Sequence, residues 1–159
     1  MTIRIATEAD VPAILELIRA LALYEREPDA VEIGEHELRR DGFGSRQLFD
    51  CLIAEEGGVV VGLALYFPIY STWRGPSLHL EDLFVTPEYR GRGVGQNLLA
   101  AVAAVAVERG CSRLQWDVLD WNTPAIEFYR SRGAAMLESW RIMRVTGKAL
   151  EQLAKTNRP

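Results

Sequence analysis

The chain has 159 residues, 48% of them hydrophobic and 25% charged, with a net charge of −4 at neutral pH. This composition fits one domain over residues 1–159, and its acidic balance argues against a nucleic-acid partner while suiting a cationic one. Two cysteines without C-x-x-C spacing and two histidines give no basis for a metal site. Because no apolar run is long enough to span a bilayer, we expect no membrane contact and a cytoplasmic location.

Hydrophobic periodicity predicts an α/β fold whose first half is largely antiparallel. Alternating apolar residues and a Gly57–Gly58 turn predict the early strands, which cover residues 2–6, 48–55 and 59–70. Apolar residues at helical spacing predict a helix that begins near Pro12 and ends near Tyr24–Glu25. A short helix over 35–40, a turn at 41–44 and a loop with Trp73 complete this half.

The stretch from Leu78 to Val107 is the centre of the chain. Residues 78–85 are apolar and β-prone apart from Glu81 and Asp82. The next turn reads R-G-R-G-V-G from Arg90 to Gly95 and opens an apolar helix. Glycines at a helix N-terminus let a phosphate approach backbone N–H groups, and the helix dipole favours an anion there. The segment therefore predicts a phosphate-binding turn, although a tight turn that merely uses glycine is the alternative.

Shorter elements follow this helix. We predict a strand over 112–119, a helix over 125–131, strand material over 136–145 and a closing helix over 147–155. The fold class is therefore α/β with a mixed sheet, antiparallel in its N-terminal strands, parallel around the glycine-rich helix, and flanked by helices.

The kind of phosphate-binding turn is decided by its spacing. The chain has no Gly-Lys-Ser/Thr tripeptide, and these glycines run G-x-G-x-G instead of G-x-G-x-x-G. The pattern Arg-x-x-Gly-x-Gly after a strand resembles the pyrophosphate loop of the GCN5-related N-acetyltransferase (GNAT) superfamily. The resemblance implies a GNAT-type sheet and acetyl-CoA (coenzyme A) as the cofactor.

Four separated stretches resemble one branch of this superfamily, the spermidine/spermine (diamine) acetyltransferases with their thialysine-acetylating relatives. They are Tyr24-Glu25, Asp41-Gly42-Phe43-Gly44, the block from Leu80 to Gly95, and the segment 121–134 with its Asn-x-Pro and Phe-Tyr motifs. The resemblance covers nearly the whole chain. It implies a homodimer to which the segment from Trp140 to Val145 and the terminal helix contribute. The short Gly57–Gly58 turn and a short segment at 135–140 leave the length of the substrate open.

The resemblance also implies how the cofactor is held. The backbone of Leu83, Phe84 and Val85 would pair with the pantetheine arm at a splayed sheet edge. The pyrophosphate would lie against Arg90, Gly91, Arg92, Gly93, Val94, Gly95 and Gln96. Asn122, Ala125 and Tyr129 would lie on the other side of the thioester. The alternatives are a simple helix cap for Asn122 and a packed core tyrosine for Tyr129.

Acetyl transfer to an amine needs a neutral nucleophile, donors for the oxyanion and a proton for the departing thiolate. An alkylamine has a reference pKa of about 10.4, so a base must take its proton. We assign that role to Glu81, directly or through water, and the attraction of the cation to Asp82. Tyr129 suits protonation of the thiolate, and strand N–H groups near Leu83 suit the oxyanion. The alternative for both carboxylates is a structural or solvated role on the strand.

The distal end of the substrate is expected to meet aromatic and acidic side chains, namely Tyr24, Glu25, Trp73 and Glu138. The sequence thus predicts an acetyl-CoA-dependent N-acetyltransferase that acts on a small di- or polyamine, or on a lysine-like amino acid, by direct attack in a ternary complex. The alternatives are the same chemistry on a protein amine and a non-catalytic, acyl-CoA-binding regulatory module.

Overall fold

The computed structural model describes residues 1–156 of the chain. Its contacts divide the chain into two compact units, one from Met1 to Leu119 and one that begins at Asp120. That residues 1–159 form a single domain stays a prediction.

The first unit contains a five-stranded sheet with the strand order β1-β2-β3-β4-β5. The strands are β1 Thr2–Ile5, β2 Asp50–Glu56, β3 Val59–Ser71, β4 Gly75–Val85 and β5 Leu114–Gln115. Strands β1 to β4 pair antiparallel in succession, whereas β4 and β5 pair parallel. This mixed sheet confirms the predicted fold class.

Three helices of the first unit are α1 Val11–Tyr24, α2 Glu35–Phe43 and α3 Val94–Glu108, and the second unit carries α4 Thr123–Arg130 and α5 Gly147–Lys155. Two short 3-10 helices precede α1 and follow β4, at Glu8–Asp10 and Pro87–Tyr89. Among the described residues, no helix has the length and apolar character needed to cross a bilayer.

The two long helices of the first unit cover opposite faces of the sheet. Buried residues of α1 share one core with Leu63, Leu65 and Phe84. On the other face, a Cβ at Gly62 would meet the Leu98 side chain of α3 at 3.2 Å. Because side chains alternate along a strand, β3 and β4 are covered on both sides and held in a fixed position. The site described below is built on these two central strands.

Three sequence predictions are corrected. The expected turn at 41–44 is wrong because helix α2 continues to Phe43. Gly42 lies within this helix, where a Cβ would stand only 2.5 Å from the Phe49 ring, so the position needs glycine for packing. The expected strand over 112–119 shrinks to Leu114–Gln115, since pairing with β4 ends there. The expected strand over 136–145 is absent from the described residues, where this segment has no ladder partner.

Candidate active site

A β-bulge interrupts β4 at Glu81. Leu80 pairs with Tyr66 of β3 and Asp82 pairs with the adjacent Leu65, so Glu81 is an extra residue in the β3–β4 ladder. Strict alternation would send the side chains of Glu81 and Asp82 to opposite faces. A bulge relaxes that rule and re-aims side chains, and bulges are common beside active sites.

Three carboxylates interact around this bulge. Glu25, which caps the C-terminus of α1, is half-buried, as is Asp82, whereas the Glu81 side chain is 54% exposed. Burial, followed by the negative charges of Glu81 and Glu25, raises the pKa of Asp82 to about 7. Burial and Glu81 also raise the pKa of Glu25. The cluster therefore holds a proton near neutral pH and favours a cation.

A cysteine nucleophile does not fit this site. Cys51 lies in the neighbouring strand β2, and burial raises the pKa of its thiol to about 12. The thiolate, which is the nucleophilic form, is therefore scarce at neutral pH.

Arg90 ties the end of β4 to the end of α1. Its Nε donates a hydrogen bond to the Val85 carbonyl at 2.9 Å. Its guanidinium lies 5.0 Å from the centroid of the Tyr24 ring and 5.3 Å from that of Phe84, both within cation–π range. Arg90 thus holds Tyr24 beside the glycine-rich turn, and its predicted contact with the cofactor stays a prediction.

The glycine-rich turn has the conformation and the space that a phosphate needs. Gly91 and Gly93 have φ angles of 72° and 81°, in the left-handed region. A Cβ built on either glycine would meet nothing within 4 Å, so the backbone faces open space. Gly93 is also the N-cap of α3, and the N–H groups of the first helical turn have no acceptor within the helix. Beside them, the Arg92 guanidinium stacks 5.0 Å from the ring of Tyr89.

Strand β4 pairs with β5 only over its first half, so the same edge is open over the second half of β4. The parallel ladder ends where His79 pairs with Gln115. From Leu80 to Val85, β4 has no further partner on that edge among residues 1–156. Backbone groups alternate between the two edges of a strand, so Leu83 and Val85 face this edge whereas Phe84 faces β3, in step with the bond from the Thr86 N–H to the Val61 carbonyl. The carbonyl of Val85 already accepts the bond from Arg90.

Trp73, one of the predicted substrate residues, does not lie at the acidic cluster. Trp73 is 82% exposed in the turn before β4. The strand then runs from Gly75 to Glu81, roughly 20 Å at about 3.3 Å per residue. Glu138 belongs to the second unit, where its carboxylate lies 3.8 Å from Arg130. Substrate contacts of Trp73 and Glu138 stay predictions.

The remaining predicted cofactor residues also belong to the second unit. The Asn122 side chain accepts a hydrogen bond from the Ala125 N–H at 3.4 Å and so caps α4. The helix cap that was the alternative reading of Asn122 is therefore present. Tyr129 lies on the same helix, with its ring edge-to-face against Phe128 at 5.2 Å. Contacts of Asn122, Ala125 and Tyr129 with the cofactor stay predictions.

One residue at the bulge was given no role by the sequence. His79 Nε2 lies 3.3 Å from Glu81 Oε2, and the imidazole stacks on Phe67 with ring centroids 5.1 Å apart. The signal that could have found it is the i,i+2 spacing of His79 and Glu81, which puts both on one face of a regular strand.

Comparison with known proteins agrees with this geometry. Residues 12–134 match the model of the Acetyltransferase (GNAT) family. The chain is 45% identical over 163 residues to a thialysine N-epsilon-acetyltransferase of Sus scrofa, covering 96% of each chain. It is 40% identical over 162 residues to spermidine/spermine N(1)-acetyltransferase-like protein 1 of Homo sapiens, covering 96% of this chain and 23% of that protein. A solved integron cassette protein from the mobile metagenome of V. cholerae superposes with a TM-score of 0.80 at 26% identity, covering 97% of both chains.

A mixed sheet with an open strand edge that leads into a glycine turn defines an acyl-transferring fold of GNAT type. The chain belongs to the Acetyltransferase (GNAT) family, and it is an N-acetyltransferase. The resemblance to the diamine and thialysine acetyltransferase branch is confirmed.

The raised pKa of Asp82 predicts how stability depends on pH. Its pKa rises from an ordinary 3.8 to about 7 on folding, so the folded state binds more protons than the unfolded chain between these values. The free energy of unfolding therefore falls as the pH rises through this window. Asp82→Asn cannot ionise, so its stability relative to the wild type should grow by about 1–3 kcal/mol between about pH 5 and about pH 8.

Urea unfolding of the wild type and of Asp82→Asn at each pH measures the difference between their free energies of unfolding. Asp29→Asn, in an exposed turn after α1, is the matched control and should follow the wild type throughout. If Asp82→Asn also ran parallel to the wild type, the carboxyl would be ionised in the folded protein at neutral pH.

Proposed function

We propose that this enzyme transfers the acetyl group of acetyl-CoA to a primary amine of a small di- or polyamine or of a lysine-like amino acid, by direct attack in a ternary complex. The observation that carries the proposal is the cluster of Glu25, Glu81 and Asp82 on the strand that leads into the glycine turn. The names of the relatives support it, since they refer to thialysine and to spermidine/spermine.

The residues present fit the cofactor. Gly91 and Gly93 leave backbone exposed at the N-terminus of α3, where a pyrophosphate would lie. The open edge of β4 offers the backbone groups of Leu83 and the N–H of Val85 to an extended pantetheine arm, as an added strand would use them. When bound, acetyl-CoA supplies the activated acetyl group. The N–H groups of this edge are then suited to stabilise negative charge on the thioester oxygen.

A pair of glycine variants tests the phosphate role. Gly93→Ala and Gly110→Ala each force a left-handed φ on a residue with a Cβ, at the two ends of α3 and in open space. Each should lower stability by about 1–2 kcal/mol. Only Gly93→Ala should weaken acetyl-CoA binding, by about tenfold or more, because its methyl group occupies the space of the phosphate.

Titration calorimetry with acetyl-CoA measures the two affinities, and thermal unfolding verifies that both variants are folded. Equal acetyl-CoA affinities for the two variants would show that the glycine turn does not bind the cofactor.

The acidic cluster explains how a cationic amine becomes a nucleophile. At pH 7 an alkylammonium with a pKa of about 10.4 needs roughly 4–5 kcal/mol to lose its proton. Glu81, exposed at the bulge, accepts that proton directly or through one water. Asp82 and Glu25 face the remaining positive charge. A bound ammonium favours their ionised forms, so substrate binding draws a proton off the cluster.

Five further residues complete the proposal. Tyr129 is suited to protonate the departing thiolate, because a phenol holds its proton at neutral pH and can donate it. Asn122 and Ala125, at the start of the same helix, would hold the cofactor near its thioester. Trp73 and Glu138 would meet the distal part of a long polyamine. The roles of Tyr129, Asn122 and Ala125 rest on the resemblance to the diamine acetyltransferase branch.

Substitutions in the cluster test the amine site. Glu81→Gln keeps the shape of the side chain and removes the base, so kcat should fall by about 10²–10⁴. Glu25→Gln should mainly raise KM, and more for a diamine than for a monoamine of equal length, since only the diamine carries a second charge. Release of the coenzyme A thiol reports the rate with spermidine, putrescine, thialysine and a monoamine.

Glu37→Gln, a glutamate on α2 that bonds to the Gly34 N–H, serves as the control and should not change the amine preference. Wild-type kcat for Glu81→Gln with every amine would show that this carboxylate is structural. A peptide lysine accepted better than any free diamine would instead favour a protein substrate.

A homodimer belongs to the same proposal. The second unit exposes large apolar side chains, among them Leu137, Trp140 and Met143, the last 91% exposed. Such a patch is typical of an interaction surface, and a second copy of this chain is its proposed partner. Light scattering should give twice the mass of 17.8 kDa for the wild type. Trp140→Lys should shift the mass to that of a monomer, whereas Val107→Lys, at an exposed position of α3, should not.

A monomeric wild type that is fully active would contradict the dimer.

A further inference from the structure

The imidazole of His79 is held in one place by the sheet. His79 pairs with Phe67 on one side and with Gln115 on the other, at the last rung of the parallel ladder. Its ring stacks on the Phe67 ring at a centroid distance of 5.1 Å, and only 15% of the side chain is exposed. A ring fixed by packing is a precise support for a neighbouring polar group.

The group that it supports is the carboxylate of Glu81. Glu81 is the extra residue of the bulge and has more than half of its side chain exposed, so the ladder and the core do little to fix its orientation. The Nε2 of His79 lies 3.3 Å from its Oε2. The two atoms are thus within ion-pair distance, and the ring tautomer with its hydrogen on Nε2 places a donor beside the carboxylate.

The other charged groups that interact with this carboxylate are acids. Glu25 from α1 and Asp82 from β4 act on Glu81 as like charges. Phe67, the neighbour of His79 on β3, has no polar atom in its side chain. Within the part of the chain that the structure describes, His79 is the residue whose side chain pairs with Glu81.

Resting on the proposed function, in which Glu81 takes the proton of the amine, we propose that His79 is a positioning residue for this step. Its Nε2–H holds Oε2 of Glu81 and leaves the second oxygen to accept the proton from the amine or from a bridging water. A free glutamate would spend part of its time in other rotamers, turned toward solvent. His79 therefore affects kcat by positioning Glu81, and it does not contact the cofactor.

A double-mutant cycle separates this role from a merely structural one. His79→Phe keeps a ring that can stack on Phe67 and removes the donor, whereas His79→Gln places an amide donor at a similar reach. In the wild-type background, kcat with saturating putrescine should fall by about 10- to 100-fold for His79→Phe, the usual effect of losing a supporting hydrogen bond. His79→Gln should restore most of the rate. In a Glu81→Gln background, His79→Phe should have no further effect.

His36→Phe, the same change at the exposed histidine of α2, is the matched control and should leave kcat unchanged. KM for acetyl-CoA should be constant through the series, and thermal unfolding verifies that each variant is folded.

The outcomes are distinguishable. Equal losses for His79→Phe in both backgrounds, or a loss as large for His79→Gln as for His79→Phe, would overturn the positioning role. Wild-type kcat for His79→Phe, together with a slow Glu81→Gln, would overturn this inference alone and leave the proposed function intact. Wild-type kcat for Glu81→Gln would overturn both.

Discussion

One extra residue in the ladder between β3 and β4 sets the arrangement of the site. The strand must add Glu81 where β3 has no matching residue, and the bulge frees this side chain from strict alternation. Both neighbours in the ladder, Tyr66 and Leu65, are buried, so the strand cannot slip to remove the irregularity without exposing core side chains. The bulge is thus held by the packing of the sheet. Glu81 and Asp82 can both interact with Glu25 because of it.

The same strand also leads to the proposed cofactor site. On the far side of the bulge, β4 runs unpaired by β5 to Val85 and then enters the turn at Gly91 and Gly93. The packing of Arg90 between the rings of Tyr24 and Phe84 joins this end to the helix that carries Glu25. The strand that carries Glu81 and Asp82 therefore leads directly into the glycine turn. Under the proposed function, this arrangement would fix the distance between the two reactants, which is a main requirement for direct transfer.

The sequence predicted the parts of the fold that local patterns determine. The periodicity of α1 and α3, the Gly57–Gly58 hairpin and the central strand are all found in the structure. The predictions that failed depend on contacts distant in sequence, because the length of β5 is set by where β4 splays, and Gly42 serves the Phe49 ring instead of a turn. For the site, glycine spacing indicated the phosphate turn and the adjacent acids indicated a cation site. The position of the bulge and the raised pKa of Asp82 arise from pairing and burial, which no single-sequence pattern encodes.

The acidic cluster also explains why such a site would discriminate by charge. Three carboxylates near one another, with two of them half-buried, repel when all are ionised, and the protein relieves this by holding a proton on Asp82 near neutral pH. A neutral ligand leaves that proton in place. A cation can replace the proton with its own charge, so binding of a cation is favoured by its attraction to the carboxylates. A second positive charge on the same molecule extends the advantage only if its distance to the first matches the spacing of the acids. Under the proposed function, charge spacing in the substrate would therefore contribute more to selection than hydrophobic contact.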